Sequence, residues 1–253
     1  MRTLVVIPAR YTSTRFPGKP LAILSGKPVI QWVWEHIAAA DNVTRTIVAT
    51  DDERILNAVK LFGGEAIMTS NTHRSGTDRC GEVVRTLRQN GECYDIVINV
   101  QGDEPFVQAQ QINALIGCFN NPDTQIATLR TAIHSIEELE SPNNVKVVSS
   151  KNNQALYFSR QPIPYLRGID PKLWISKRPY YKHVGLYAFT TSTILKITQL
   201  QQGDLEQSES LEQLRWLENG YTIQVCDTQC SNIGIDTPQD LEIAEKALIG
   251  NSL

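Results

Sequence analysis

Short apolar runs alternate with longer amphipathic stretches through the first half of the chain. Four apolar runs predict buried strands, at Thr3–Ile7, Arg45–Thr50, Glu65–Met68 and Tyr94–Val100. Helices are predicted between them, at Pro28–Ala40, from a cap at Asp51 to about Phe62, and after the polar loop Ser70–Thr77 as far as about Gly91. This alternation is typical of βαβ units, so we expect an α/β fold with a mostly parallel sheet covered on both faces.

The rhythm changes in the second half of the chain. Four strands are predicted there without regular helices between them, at Gln125–Ile133, Val145–Ser149, Ala155–Phe158 and Gly185–Phe189. Helices return at Ser208–Asn219 and Thr237–Leu248. We therefore predict one domain over residues 1–253, in which a mixed α+β subdomain at about 130–190 is embedded and docks on the parallel sheet.

Composition narrows the function classes. With 253 residues, 41% hydrophobic and 20% charged, the chain is predicted to be globular, and its net charge of −3 argues against a general nucleic-acid binder. The apolar run Leu4–Ile7 is too short for a signal peptide and no 18-residue apolar span occurs, so we expect no membrane insertion and a cytoplasmic location. Five cysteines without CxxC spacing predict reduced thiols.

Cations are concentrated directly after the first predicted strand. The loop from Pro8 to Pro20 carries Arg10, Arg15 and Lys19, and no acidic residue precedes Glu35. Ligands of open α/β sheets bind beyond the carboxyl ends of the strands. A loop stiffened by glycine and proline with three cations suits a polyphosphate, although a solvated surface loop is the alternative.

This loop is not a standard phosphate-binding motif. Gly18-Lys19 and Gly26-Lys27 are each followed by proline, whereas the P-loop motif requires serine or threonine there. The chain contains neither GxGxxG nor GxSxG. These absences disfavour P-loop kinases, dinucleotide-dependent dehydrogenases and serine hydrolases.

Two aspartates follow predicted strands beside a glycine. Asp103 lies in NVQGDEP after the most apolar strand, and Asp236 lies in NIGIDTP after a short predicted strand. Two such carboxylates could share a Mg²⁺ ion with phosphate oxygens of a substrate. Either aspartate could instead be the cap of the helix that follows it.

Other polar groups are candidates for binding an organic substrate. The loop Asn71–Arg79 could hydrogen-bond a base or a ribose, and His73 alone favours a loop-fixing role. Arg160, His183 and Tyr187 lie near predicted strand ends and could hold a carboxylate and several hydroxyls. On the amphipathic helix that follows, Glu212 or Gln213 could face a cleft, although each of these residues taken singly suits a structural role.

Eight segments occur in an order that resembles one enzyme family. They are IPARYTSTRFPGKPL, VATDDERI, HRSGTDR, NVQGDEP, YFSR, KHVGLYAF, SLEQLRWLENG and GIDTPQDLE. From Thr3 to about Lys246 the chain resembles the 3-deoxy-manno-octulosonate cytidylyltransferases. The resemblance implies a nucleotide-diphospho-sugar transferase (Rossmann-like) fold, and a homodimer joined mainly through the second-half lobe. It also implies Mg²⁺-dependent conversion of CTP and 3-deoxy-D-manno-octulosonate (KDO) to CMP-KDO and pyrophosphate, for lipopolysaccharide assembly.

The same resemblance implies roles for particular residues. It places the triphosphate on Arg10, Arg15 and Lys19. The metal ligands would be Asp103 and Asp236, which with Lys19 and Arg10 form the expected catalytic set. The cytidine would lie among Pro8, Ala9, Arg74, Ser75 and Gly76. The sugar acid would be bound by Gln101, Arg160, His183, Tyr187, Glu212 and Gln213. Two departures from the family pattern, Gln161 and Gln239, affect no expected ligand.

Three other functions remain open from the sequence. The chain could transfer CMP to a different sugar acid, because such differences would lie in the second-half pocket. A pyrophosphorylase for neutral sugar phosphates would need a second anion site. A catalytically inactive nucleotide-binding relative is disfavoured because Lys19, Asp103 and Asp236 are all present.

Overall fold

A mixed sheet of nine strands is the main element of this computed structural model, in which residues 1–230 and 234–250 are described. The strands are β1 Thr3–Ala9, β2 Ile23–Leu24, β3 Lys27–Pro28, β4 Arg45–Thr50, β5 Ala66–Met68, β6 Ile96–Asn99, β7 Ile126–Ala132, β8 Lys146–Ser149, β9 Ala155–Ser159, β10 Tyr181–Thr190 and β11 Ile223–Asp227. The helices are α1 Val29–Ala38, α2 Glu53–Leu61, α3 Gly76–Gln89, α4 Ala109–Gly117, α5 Ile136–Glu140, α6 Trp174–Lys177, α7 Thr191–Ile197, α8 Asp204–Glu209, α9 Glu212–Glu218 and α10 Pro238–Gly250.

The strand order places a parallel block beside one antiparallel strand. The order is β11-β7-β10-β6-β1-β4-β5, and β8 pairs with β10 and β9. Strands β6, β1, β4 and β5 are parallel, whereas β10 is antiparallel to both β6 and β7. Strand β11 is parallel to β7, and β2 and β3 form a separate hairpin. The predicted α/β class with a mostly parallel central sheet is therefore confirmed.

Strand β1 shows why both faces of the sheet are covered. Leu4 and Val6 lie in one apolar cluster with side chains of α3, α7 and α9, whereas Val5 and Ile7 lie in another with α1, α2 and α4. All four side chains are fully buried. Successive side chains of a strand point to opposite faces, so a continuous apolar run needs a helical layer on each side.

Two local predictions are wrong. Asp52, not Asp51, caps α2, because its Oδ1 accepts a hydrogen bond from the amide of Arg54 at 2.9 Å while Asp51 pairs with the buried Arg79. The helix predicted at Ser208–Asn219 is two helices, since α8 ends before Ser210, which has the left-handed φ of 53°. The pairing of Asp51 with Arg79 is a tertiary contact, which local propensity does not contain.

Residues 130–190 extend the sheet rather than only covering it. They contribute β8, β9 and β10, together with the short helices α5 and α6. Trp174 and Tyr180 stack here with ring centroids 6.1 Å apart, in a small apolar cluster with Ile133 and Leu139. The division into a domain and an embedded subdomain stays a prediction.

Two features bear on the expectations drawn from composition. In the described ranges, no helix is long and apolar enough to cross a membrane. Cys118 after α4 and Cys226 in β11 are neighbours although they are 108 residues apart in the chain, with Cα atoms 7.5 Å apart. This distance exceeds the usual range of a disulfide, so the expectation of reduced thiols stays a prediction. Cys80, Cys93 and Cys230 are free, and Cys80 is buried.

The central position of β6 generates a stability prediction. Ile98 is fully buried between β1 and β10, so Ile98→Ala is expected to lower the free energy of unfolding by about 2–5 kcal/mol. Leu61→Ala, at a side chain that is 89% exposed, is expected to change it by less than about 0.5 kcal/mol. Urea unfolding measures both, and equal effects would contradict this assignment of the core.

Candidate active site

The loops after β1 and β6 diverge at the centre of the sheet. The chain passes from β1 to β4 and β5 on one side of β1, and β6 lies on its other side. Such a reversal of strand order opens a crevice at the carboxyl ends, which is where ligands bind in open α/β sheets. Pro8 and Ala9 end β1, and residues 101–103 follow β6. The fold therefore brings together the two segments in which the sequence placed phosphate and metal binding.

Two glycines permit the close packing of this crevice. The amide of Gly102 donates to the carbonyl of Pro8 at 3.2 Å, and a Cβ on Gly102 would lie only 2.8 Å from that oxygen. Gly18 has the left-handed φ of 74°, and its amide donates to the carbonyl of Tyr11 at 2.8 Å. This turn closes the cationic loop and directs Lys19 toward the end of β6.

A cavity of about 150 Å³ opens at this edge of the sheet, and we call it the strand-tip cavity. The predicted site residues that line it are Pro8, Ala9, Arg10, Lys19, Arg74, Ser75, Gly76, Gln101 and Asp103. Its remaining lining residues are Pro20, His73, Arg79 and Gly102. The structure thus brings together residues from three loops that lie between Pro8 and Asp103 in the chain.

Lys19 links the two aspartates singled out by the sequence. Its Nζ contacts Asp103 Oδ2 and lies 3.0 Å from Asp236 Oδ1, while Arg15 Nη2 lies 3.0 Å from Asp236 Oδ2. Burial alone would lower the pKa of Lys19, but the two carboxylates outweigh it and raise that pKa, so the ammonium stays charged. Asp103 and Asp236 therefore share the Lys19 ammonium, and Asp236 also pairs with Arg15.

Neither aspartate acts as a helix cap. Helix α4 begins only at Ala109, and the amides of Asp236 and Thr237 donate to the carboxylate of Asp240 at 3.0 and 2.8 Å. The strand expected before Asp236 falls partly on residues 232 and 233, which lie outside the described residues. Gly234 and Ile235 are not in a strand, but the amide of Ile235 donates to the carbonyl of Asp103 at 2.9 Å. This bond joins the two aspartate loops directly.

Arg10 and Arg74 leave positive charge exposed at the cavity. Both side chains are exposed and line the strand-tip cavity, and in residues 1–230 and 234–250 neither makes an ion pair or a side-chain hydrogen bond. By contrast, Lys19 and Arg15 are already paired with carboxylates. Exposed guanidinium groups without a partner are suited to bidentate binding of phosphate oxygens.

Ser75 and Gly76 begin α3 beside this cavity. Ser75 accepts a hydrogen bond from the amide of Asp78 at 3.1 Å, and the Asp78 carboxylate accepts one from the Ser75 amide at 3.2 Å. This capping box holds the first turn of α3 in place. The positions of Ser75 and Gly76 at the cavity therefore follow from a local sequence motif.

Arg79 is a site residue that sequence reasoning missed. It is 4% exposed, pairs with Asp51, and donates to Thr69 Oγ1 at 2.7 Å and to the carbonyl of Ser70 at 3.2 Å. These contacts anchor the loop that carries Arg74. The available signal was the position of Arg79 directly before Cys80, which is buried. A buried arginine must be paired, so this position indicates a structural ion pair.

His183 lines a second cavity of about 310 Å³, which we call the β10 cavity. Tyr187, four residues further along β10, packs edge-on against Trp216 with centroids 5.0 Å apart. Nε2 of Gln213 is buried and has no hydrogen-bond partner among the described residues. Buried polar atoms are nearly always satisfied, so this group fits a polar ligand.

Glu212 connects the residues around Tyr187 to α3. Its carboxylate accepts a hydrogen bond from Thr77 Oγ1 at 2.8 Å, and burial raises its pKa to about 7. Gln101 forms the other connection, because its Nε2 donates to Asn99 Oδ1 at 3.2 Å and Asn99 lies opposite Tyr187 in the sheet. The two groups of predicted site residues are thus neighbours.

Arg160 lies outside both cavities. Its guanidinium donates to backbone carbonyls of Glu209 at 2.7 Å, Pro142 at 3.0 Å and Ser210 at 3.4 Å. Its amide donates to the Glu209 carboxylate at 2.9 Å. The expected contact of Arg160 with a substrate carboxylate stays a prediction.

Known proteins resemble this chain over its full length. A family model described as cytidylyltransferase matches residues 4–223. The 3-deoxy-manno-octulosonate cytidylyltransferase of Bacteroides thetaiotaomicron is 54% identical over 255 residues, covering 100% of both chains. That of Parabacteroides distasonis is 53% identical over 248 residues, 96% of this chain and 97% of the relative. A solved structure of CMP:2-keto-3-deoxy-manno-octonic acid synthetase complexed with CTP is 42% identical, covers 100% of both chains and has a TM-score of 0.89.

The sheet, its crevice and the family match define a nucleotidyltransferase with a nucleotide-sugar transferase fold. Identity above 50% over nearly the full length narrows the class further. The chain belongs to the 3-deoxy-manno-octulosonate cytidylyltransferase family, so the resemblance seen in its sequence motifs is confirmed.

The raised pKa of Glu212 generates a prediction of pH-dependent stability. Because its pKa is about 7 in the folded chain and near 4.5 when unfolded, the folded state binds the proton more tightly, and stability falls as pH rises from about 4.5 through about 7. Glu212→Gln should remove this loss, which at roughly 1.4 kcal/mol per pKa unit amounts to at most about 3 kcal/mol. Urea unfolding of both proteins at pH 5 and pH 8 measures it.

The exposed Glu53 provides the matched control for that measurement. Glu53→Gln is expected to keep the pH dependence of the wild type. If Glu212→Gln and the wild type lost equal stability between the two pH values, the carboxyl of Glu212 would not be the group responsible.

Proposed function

We propose that this protein transfers CMP from CTP to the anomeric hydroxyl of KDO, giving CMP-KDO and pyrophosphate for lipopolysaccharide biosynthesis. The observation that carries the proposal is the contact of Lys19 with both Asp103, which lines the strand-tip cavity with it, and Asp236. The names of the relatives support the reaction, and the related structure was solved with CTP.

The strand-tip cavity suits the nucleotide. Arg10 and Arg74 supply exposed positive charge, and Lys19 and Arg15 add two cations within reach of a triphosphate. Pro8, Ala9 and the start of α3 form the wall on which we place the cytidine. Among the described residues that line this cavity, cations outnumber the single carboxylate, that of Asp103, and an excess of positive charge favours a tetra-anionic ligand.

The two carboxylates fit a magnesium ion. Lys19 Nζ already serves as a stand-in cation between Asp103 and Asp236, which shows that both oxygens reach one point. In the part of the chain that the structure describes, no group of three or more histidine, cysteine or acidic side chains is arranged to hold a metal. Mg²⁺ commonly uses one or two carboxylates and takes its other ligands from substrate phosphates and water, so the pair is sufficient.

The predicted site residues on β10 and beside it suit the sugar acid. Gln213 offers a buried polar atom that lacks a partner among the described residues, and Gln101, His183 and Tyr187 lie on adjacent strands and loops. KDO carries several hydroxyls that can satisfy such groups. We place its anomeric hydroxyl toward the strand-tip cavity, where Gln101 lies.

Each of these residues has a separate role in the proposed reaction. The anomeric oxygen forms a bond to the α-phosphorus, the bond from that phosphorus to the bridging oxygen of pyrophosphate breaks, and the hydroxyl proton is lost to solvent. Lys19, Arg10 and Arg15 offset the charge that develops on the phosphate oxygens. A magnesium ion on Asp103 and Asp236 would supply Lewis acidity that lowers the pKa of the hydroxyl. These groups bind and orient the triphosphate so that its leaving group faces away from the sugar.

We further propose that the protein is a cytoplasmic homodimer. Leu156, Tyr165 and Leu173 are 62%, 72% and 49% exposed and lie in the second-half region that the family resemblance assigns to the interface. Exposed apolar side chains of this size are typical of association surfaces. A reaction that consumes CTP is suited to the cytoplasm.

Pyrophosphate release tests the proposed reaction directly. Purified protein with Mg²⁺ and CTP is expected to release pyrophosphate with KDO, but not with N-acetylneuraminate or without an acceptor. Asp103→Asn is expected to lower the rate by about 100-fold or more, because it removes half of the carboxylate pair. Release with N-acetylneuraminate instead of KDO would contradict the substrate, and near-full activity of Asp103→Asn would contradict the role of the pair.

The position of Lys19 generates a separate prediction about metal affinity. An ammonium in contact with both carboxylates competes with a divalent cation, so Lys19→Met is expected to bind Mn²⁺ at least about tenfold more tightly without CTP. Electron paramagnetic resonance of free Mn²⁺ measures this without turnover. Lys60→Met, at an exposed lysine of α2, is the control and is expected to match the wild type. Equal affinities of Lys19→Met and wild type would show that the aspartates are not the metal site.

A further inference from the structure

Thr128 contacts the ring of His183 from the neighbouring strand. Thr128 is fully buried in β7, and its Oγ1 lies 2.9 Å from His183 Nε2. The same Oγ1 lies 2.8 Å from the carbonyl of Leu186 and 3.3 Å from that of Val184. Both carbonyls face Thr128 because the pairing of β10 with β7 shifts register between Val184 and Tyr187.

The protons of this contact can be assigned from the acceptors around Thr128. A hydroxyl has one hydrogen, and carbonyl oxygens only accept. The closest carbonyl, that of Leu186, receives the hydrogen of Thr128 at 2.8 Å. Oγ1 is then left as an acceptor toward His183, so Nε2 of the ring carries a hydrogen and donates it to Thr128.

His183 has only this one ring proton. Burial lowers its pKa to about 3, and the ring packs against Phe158 edge-on, with centroids 5.1 Å apart. The neutral imidazole protonated at Nε2 carries a lone pair on Nδ1. No hydrogen bond to Nδ1 is made by any residue in the described ranges, and His183 is one of the residues that line the β10 cavity.

We propose that Thr128 is a positioning residue that holds His183 in the Nε2–H tautomer, so that Nδ1 accepts a hydrogen bond from a hydroxyl of the sugar acid. The identity of the sugar acid rests on the proposed function, whereas the tautomer does not. A neutral acceptor selects a hydroxyl donor and offers nothing to a carboxylate. His183 is therefore a specificity-determining contact to a hydroxyl, and the negative charge of the substrate must be met by other residues.

Nitrogen-15 chemical shifts of the histidine side chains test the tautomer without turnover. The chain has four histidines, and the resonances absent from His183→Gln assign this ring. Wild-type protein and Thr128→Ser are expected to show protonated Nε2 and unprotonated Nδ1. Thr128→Val keeps the side-chain shape but removes the acceptor, so it is expected to populate the Nδ1–H tautomer.

Kinetics test the consequence for the substrate. Thr128→Val is expected to raise KM for KDO by about tenfold while KM for CTP stays within about twofold, and Thr128→Ser is expected to restore the wild-type value. Thr124→Val is the matched control. It removes another buried hydroxyl, one that donates to the carbonyl of Cys118 at 2.9 Å outside both cavities, and should leave both KM values unchanged.

The outcomes separate the two proposals. A wild-type His183 protonated at Nδ1, or equal changes in both KM values in Thr128→Val, would overturn the role of Thr128. If Thr128→Val does not fold, the wild-type tautomer and the values for Thr128→Ser still decide. Shifts as expected in a protein that does not turn over KDO would uphold the tautomer and overturn only the proposed substrate.

Discussion

The contact of one lysine with two aspartates is the constraint on which the active site depends. Lys19 comes from the loop after β1, Asp103 from the loop after β6, and Asp236 from a segment more than 130 residues further along the chain. Two carboxylates brought to one point would repel each other. The ammonium of Lys19 offsets this repulsion and joins the loops after β1 and β6 to the segment that carries Asp236.

The two halves of the site differ in their electrostatic character. At the strand-tip cavity, Arg10 and Arg74 are exposed and charged, which suits a phosphate chain that keeps part of its hydration. On the β10 side, burial keeps His183 neutral and brings the pKa of Glu212 to about 7. Hydrogen bonds between neutral groups there are directional and discriminate between hydroxyl patterns. The two groups of predicted site residues therefore differ in burial and in charge, although they lie at one sheet.

Much of the fold could be predicted because its strongest signals are local. Strand β4 was predicted with its observed bounds, and the prediction for β1 omitted only the last two residues of that strand. The break between α8 and α9 could not be predicted, since Ser210 adopts a left-handed conformation beside a carbonyl that Arg160 binds. The same holds for Arg79, whose role depends on Asp51 in another loop. Such contacts join segments that no local pattern relates.

The sequence by itself determined the α/β class, the family and the residue types at the strand ends, because periodicity and motif order are properties of neighbouring positions. Only the tertiary structure decided which charges meet. It assigned Asp103 and Asp236 to Lys19 rather than to helix caps, and it placed Thr128 against His183 through a register shift between β7 and β10. Protonation states and tautomers depend on burial and on hydrogen-bond partners across the sheet, and these exist only once the chain is folded.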